Sequence, residues 1–224
     1  MKPTVNVLYL PGTNCQEETI SAFAAVGATP RLRFAADLLA GDERLDDADI
    51  LCIPGGFSFG DHLGAGAVAG ALLRSHLADQ FEACRTRPLI GICNGFQIAV
   101  RGGCFGKVGL KVNSSGTFRN EENQRHVVDE ENDSPWLTGL GGQTLVFPCA
   151  HGEGRFHPDS TASVAEYRVA LRYEKDSNPD GSFENIAGIT SLDGLSFGLM
   201  DHPERAVDPE VRLAFFENGV RAVR

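Results

Sequence analysis

Hydrophobic positions in the first half of the chain fall into short dense clusters separated by longer amphipathic stretches. Residues 5–10 form an apolar run closed by Pro11-Gly12, with further runs at 31–34, 49–54 and 89–93. Between them, residues 17–26 pattern as a helix, and a stretch rich in small residues predicts one long helix over 63–84. Strand–helix alternation at this spacing predicts an α/β fold with a parallel sheet wrapped by helices on both faces. Apolar runs without polar alternation, such as Ile50–Ile53, are what strands buried on both faces look like.

The pattern changes after about residue 105. Gly, Asn, Asp and Ser become commoner, and turns such as Asn178-Pro179-Asp180-Gly181 interrupt short apolar runs. This half reads as an antiparallel extension with functional loops on the same sheet, ending in 197–200. Residues 119–133, dense in acids and amides, read as a mobile surface loop. No repeat or linker divides the 224 residues, so a single domain over 1–224 is expected.

Composition narrows the partners. A formal net charge of −10 argues against nucleic acid or an anionic membrane surface. No apolar run is long enough to span a bilayer. The N-terminal residues enter a strand directly, without a secretory signal, so a cytoplasmic location is expected. The six cysteines (15, 52, 84, 93, 104 and 149) then read as reduced thiols without metal-ligand spacing.

One of these thiols sits in a distinctive place. The run Pro88-Leu89-Ile90-Gly91-Ile92-Cys93-Asn94-Gly95-Phe96-Gln97 passes from an apolar strand into a helix start. That is the nucleophile-elbow pattern with cysteine in the serine position. Glycines flank the turn where a β-carbon would clash, and the helix N-terminus favours negative charge on the sulfur. A buried structural cysteine in a strand–helix unit is the ordinary alternative. A nucleophile also needs a base and an orienting group. His202 has Glu204 two residues on, and in an extended segment those side chains project to the same side. Pro203 between them disfavours helix. Pro54-Gly55-Gly56-Phe57 follows the third apolar run, so N–H groups of Gly56 or Phe57, with that of Asn94, are candidate oxyanion donors. The same segment lacks the ending of a phosphate-binding loop.

In this order, Pro54-Gly55-Gly56-Phe57-Ser58-Phe59-Gly60-Asp61, the Cys93 elbow and His202-Pro203-Glu204-Arg205-Ala206 resemble the class I triad glutamine amidotransferases. Three further segments narrow the resemblance: Pro11-Gly12-Thr13-Asn14-Cys15, His151-Gly152-Glu153-Gly154-Arg155-Phe156, and Asn178-Pro179-Asp180-Gly181-Ser182 leading to Ile186-Ala187-Gly188-Ile189. Together they are similar to the family of glutaminase subunits of phosphoribosylformylglycinamidine synthase, in purine biosynthesis, from Tyr9 to Ala206. The resemblance implies the flavodoxin-like class I amidotransferase fold. It implies that Cys93 forms a γ-glutamyl thioester from L-glutamine, that His202 shuttles protons, that Glu204 orients it, and that Gln97 helps hold the substrate. Its ammonia would pass to a large ATP-dependent synthetase subunit, with a small subunit bridging the two. ATP and magnesium are expected on that partner, and no cofactor or metal on this chain.

Departures from the family motifs are few. Gly64 stands where a basic residue is common, Asp201 where proline is commoner, and Asp180 replaces an asparagine. Asp201 places a negative charge beside His202, which is expected to raise its pKa. The 151–156 segment is a candidate for partner contact or for gating glutamine, against an ordinary charged turn; His151 is weighed evenly between structure and function. Cys52 and Cys84 read as core, Cys104 and Cys149 as packing or loop residues, and Cys15 as ambiguous. His62, His76, His126 and His157 read as solvated. A stand-alone cysteine hydrolase and a catalytically silent binding module remain the competing readings.

Overall fold

The computed structural model describes residues 1–160 and 165–224. The first half runs β1 (Thr4–Tyr9), α1 (Gln16–Ala25), β2 (Thr29–Phe34), α2 (Ala35–Ala40), β3 (Ile50–Ile53), α3 (Ala67–Ser75), α4 (Ala78–Arg85), β4 (Leu89–Ile92) and α5 (Asn94–Gly102). The second adds β5 (Val108–Lys111), β6 (Arg119–Val128), β7 (Thr144–His151), β8 (Arg155–Pro158), β9 (Arg168–Tyr173), β10 (Ile186–Thr190), β11 (Ser196–Leu199) and α6 (Pro209–Arg221). Among the described residues, nine strands share one sheet in the order β2-β1-β3-β4-β11-β10-β9-β6-β7, and β5 pairs with β8 apart from it.

Strands β2, β1, β3, β4 and β11 are parallel, and β10, β9, β6 and β7 continue the sheet antiparallel. This is the α/β architecture that the strand–helix alternation predicts. Every residue of β3, β4 and β11 is buried. Helix α3 packs on α5 and α1 on α6. Aromatic contacts tie helix to helix and helix to sheet: Phe23 of α1 meets Phe216 of α6 edge-on at 4.9 Å, and Phe197 of β11 meets Phe215 of α6 at 5.1 Å. Each such fully buried ring contributes about 1.5–3 kcal/mol by leaving water. No described helix is long and apolar enough to cross a membrane.

Three expectations fail. Residues 63–84 are two helices, not one. A tight turn at Ser58–Asp61 precedes them, with Phe59 and Gly60 in the left-handed region. The break at His76 lets Leu73, Leu77 and Phe81 all reach the core, each at most 3% exposed. Ser75 assists it by bonding back to the Ala71 carbonyl at 2.8 Å.

The 119–133 segment is not a free loop, since its first ten residues are β6, paired on both sides. Backbone pairing satisfies the strand while its acids and amides face water, and Gln124, His126 and Val128 alternate inward. Asn132 is buried too, donating to Val169 O (2.7 Å) and Thr190 Oγ1 (3.1 Å). Finally, β11 is not the end of the antiparallel part but the fifth parallel strand, beside β4. That register brings the His202 segment next to the end of β4, where Cys93 lies.

Candidate active site

Cys93 follows β4 and caps α5 with φ +52° and ψ −110°, a conformation that side chains other than glycine rarely adopt. The flanking glycines are needed for space. A β-carbon on Gly95 would lie 1.7 Å from the Ile53 carbonyl oxygen, and one on Gly91 2.7 Å from that of Gly95. Cys93 lines a pocket of about 150 Å³ together with, among others, Gly56, Gln97, Phe118 and residues 150–153. Pockets for drug-sized ligands exceed about 300 Å³; this one suits a single small polar molecule.

The polar wall is prearranged. Asn94 Nδ2 donates to Gln97 Oε1 (2.9 Å) and to Asp61 Oδ1 (3.2 Å), while its Oδ1 accepts from the Ser58 amide (2.9 Å). Gln97 in turn donates to the Glu153 carbonyl (2.9 Å), and the Glu153 carboxylate accepts from the Ala65 amide (3.1 Å). The 151–156 segment is therefore a wall of the pocket and not a free charged turn. Gln97 and Asn94 are 5% and 1% exposed.

The amide donors divide unequally. The Thr13–Gly56 bridge rests on the Phe57 amide donating to Gly12 O (2.9 Å) and that of Asn14 to Gly55 O (3.2 Å). Phe57 N–H is thus committed within the protein, whereas the Gly56 amide takes no part in the bridge. Of the pair named from sequence, geometry leaves Gly56.

His202 and Glu204 meet as expected, with Nδ1 2.7 Å from Oε1 and both side chains sealed. They do so for a different reason. Glu204 lies in a 3-10 turn, Pro203–Arg205, so the turn and not an extended strand folds the carboxylate onto the ring. The His202 amide donates to Pro148 O of β7 (2.8 Å), which fixes the ring's base. Burial disfavours the imidazolium, but Glu204, Cys93 and Cys15 together raise His202 well above its ordinary value. Asp201 is not among these causes. Its carboxylate turns the other way, to His126 (2.6 Å) and His151 (3.2 Å), so Glu204, not Asp201, is the acid at the His202 ring.

Two cysteines attend this histidine. A β-carbon on Gly55 would lie 2.9 Å from Cys15 Sγ, 2.9 Å from His202 Cε1 and 3.5 Å from Cys93 Cβ, so all three side chains converge on that glycine. Cys15, His202 and Glu204 form one compact group, with Sγ 4.0 Å from His202 Nδ1. Cys15 thus faces the nitrogen already bound to Glu204, and Arg205 donates to its sulfur at 3.2 Å. Cys93, unlike Cys15, lines the pocket. Sequence reasoning left Cys15 open, and its place after β1 at the sheet's C-terminal edge was the available signal.

His126 was expected in solvent and is 0% exposed, stacked on Phe147 at 3.8 Å. His151 is likewise buried. His62, His76 and His157 are exposed. Cys52, Cys84, Cys104 and Cys149 are all buried.

An α/β sheet with a strained cysteine elbow, a buried histidine–glutamate pair and amide donors beside them is the layout of an amidotransferase. The chain belongs to the CobB/CobQ-like glutamine amidotransferase domain family, whose model matches residues 2–215. Among its relatives is the phosphoribosylformylglycinamidine synthase subunit PurQ of Thermotoga maritima, 39% identical over 211 residues, covering 93% of this chain and 90% of that one. The PurQ of Pyrobaculum aerophilum is 38% identical over 208 residues, covering 92% and 90%. A chain in the solved structure of PurLQS from Thermotoga maritima superposes with a TM-score of 0.81 at 36% identity, covering 100% of this chain and 98% of that chain.

Proposed function

We propose that this chain is the glutaminase subunit of a phosphoribosylformylglycinamidine synthase, releasing ammonia from L-glutamine for a partner synthetase. One observation carries the chemistry: Cys93 on its strained elbow lines the small polar pocket and converges with His202 on Gly55. The thiolate attacks the side-chain carbonyl carbon of glutamine. Oxygen takes up the negative charge, towards the amides of Gly56 and Asn94. His202 protonates the leaving nitrogen, ammonia departs, and a γ-glutamyl thioester remains on Cys93. Water, deprotonated by the same histidine, then frees glutamate and restores the thiol. Glu204 keeps the proton of His202 Nδ1 occupied and leaves Nε2 for Cys93. Gln97 and the Glu153 backbone hold the substrate's polar end.

The named relatives support a partner-dependent role. We place ATP and magnesium on a large synthetase subunit, with a small subunit bridging the two. Glutamine hydrolysis measured on the purified chain alone and with the synthetase subunits tests this. Strong stimulation by the synthetase is expected. Full activity without it would favour a stand-alone hydrolase, and none in either setting a silent binding module.

A further inference from the structure

A second cluster, reached by Asp201 next to His202, takes no part in the thioester chemistry, although its His151 also lines the pocket. Cys149 and His151 stand two residues apart on β7, so their side chains leave the strand on the same face. Asp201, just after β11, reaches the same point. Cys149 Sγ is 3.3 Å from His151 Nε2, and that nitrogen is 3.2 Å from Asp201 Oδ1. All three residues are buried.

Neighbouring bonds fix how His151 presents its ring. Asn113 Nδ2 donates to the carbonyls of His151 (2.8 Å) and Thr117 (3.2 Å), so Asn113 Oδ1 is the acceptor. That oxygen accepts from the Gly154 amide (3.0 Å) and faces His151 Nδ1 at 3.3 Å. His151 therefore carries hydrogen on Nδ1 and turns Nε2 towards the thiol and the carboxylate. Asp201 Oδ2 is held by His126 at 2.6 Å, while Oδ1, although fully buried, makes no hydrogen bond among the described residues. Asp180 Oδ2 lies 3.8 Å from the same Nε2. The two acidic departures from the family motifs thus converge on one nitrogen. The Cys149 thiol has one hydrogen to offer, to His151 Nε2 or to Asp201 Oδ1, so at least one buried lone pair stays unpaired unless something positive sits among them.

We propose that Cys149, His151 and Asp201 bind a zinc-type divalent cation. Thiolate, imidazole and carboxylate together suit zinc, whereas calcium and magnesium ask for oxygen alone. Bonds of about 2.0–2.3 Å at tetrahedral angles place donor atoms roughly 3.3–3.6 Å apart, close to the spacings of 3.2 and 3.3 Å seen here. Asp180 Oδ2 stands beside the site, 3.8 Å from His151 Nε2, and the fourth position falls to water. Asn113 on His151 and His126 on Asp201 supply the outer hydrogen bonds that metal-bound imidazoles and carboxylates normally have. Binding replaces the Cys149 thiol proton, which is released to solvent. The ion would tie β7 to the backbone immediately before His202.

Cobalt(II) titration of the chelator-stripped full chain tests the site, because a thiolate ligand gives a near-ultraviolet charge-transfer band. One equivalent is expected, with proton release. The band should persist in a Cys15→Ser/Cys93→Ser double variant, which lacks both thiols beside His202, and disappear in Cys149→Ala and His151→Asn. Zinc should raise the melting temperature of the double variant. No band in wild type overturns the proposal and leaves a proton between His151 and Asp201. A band lost in the double variant overturns it too, assigning the metal to the His202 cysteines. The double variant keeps β7 intact, so it decides even where Cys149→Ala fails to fold.

Discussion

Two buried histidine–carboxylate pairs lie within a few residues of each other, and they differ in what the ring faces beyond its acid. His202 and Glu204 are 2.7 Å apart, His126 and Asp201 2.6 Å, and all four side chains are at most 3% exposed. The first ring converges with Cys93 beside an open pocket. The second is clamped flat against Phe147, its Nδ1 without a partner among the described residues, and is not part of the pocket that Cys93 lines. Burial would raise the Asp201 carboxyl, but the bond from His126 and the neighbouring His151 ring outweigh it and hold the group well below the usual carboxylate range. Identical chemistry therefore serves turnover in one place and cohesion in the other. The pair itself does not decide which; the neighbour on its far side does.

Substitutions should separate the two pairs, beginning with the nucleophile. Cys93→Ala is expected to abolish glutamine hydrolysis, measured as ammonia release with the synthetase present, while leaving the circular dichroism spectrum unchanged. His202→Asn should lower kcat by roughly 10²–10⁴, the range of a lost general acid–base, again with an intact fold. Asp201→Asn should do the reverse. It replaces the carboxylate that the buried His126 ring bonds at 2.6 Å, so urea unfolding should show a loss of about 1–3 kcal/mol. Its effect on kcat per folded molecule should be smaller than that of His202→Asn. An Asp201→Asn variant of normal stability but no activity would put Asp201 in the reaction instead.

The contrast also explains what could be read from the chain. The elbow was legible because its requirements are local: Gly91 and Gly95 flank Cys93, and their lack of a β-carbon is needed at each site. His202-Pro203-Glu204 was legible as a pair, although the 3-10 turn that makes the contact was not. His126 was hidden, since its acid lies 75 residues away and it follows a stretch rich in acids and amides. Only the pairing of β6 with β7 and β9 turns that stretch into a strand with an inward face. Helix α6 carries a start signal, Asp208 capping the Glu210 amide ahead of the core residues Phe215 and Phe216, that motif-led reading passes over.

Smaller effects probe the pocket and the remaining thiols. Gln97→Ala removes a donor from the substrate wall and should raise KM roughly tenfold with kcat largely kept, as the loss of about one good hydrogen bond would. Burial pushes the thiols of Cys84 and Cys104 up to about 12. Both should stay unlabelled by maleimide in the native chain at pH 8, gaining reactivity only as the pH nears those values or the chain unfolds.

The central claim is that Cys93, and not Cys15 at the same histidine, carries the acyl group. Peptide mapping after treatment with a glutamine analogue bearing an electrophilic carbon in place of the side-chain amide tests it directly. The structure predicts one glutamyl adduct per chain on the Cys93 peptide, absent from Cys93→Ser and retained in Cys15→Ser. An adduct on the Cys15 peptide, or labelling that survives Cys93→Ser, would contradict it.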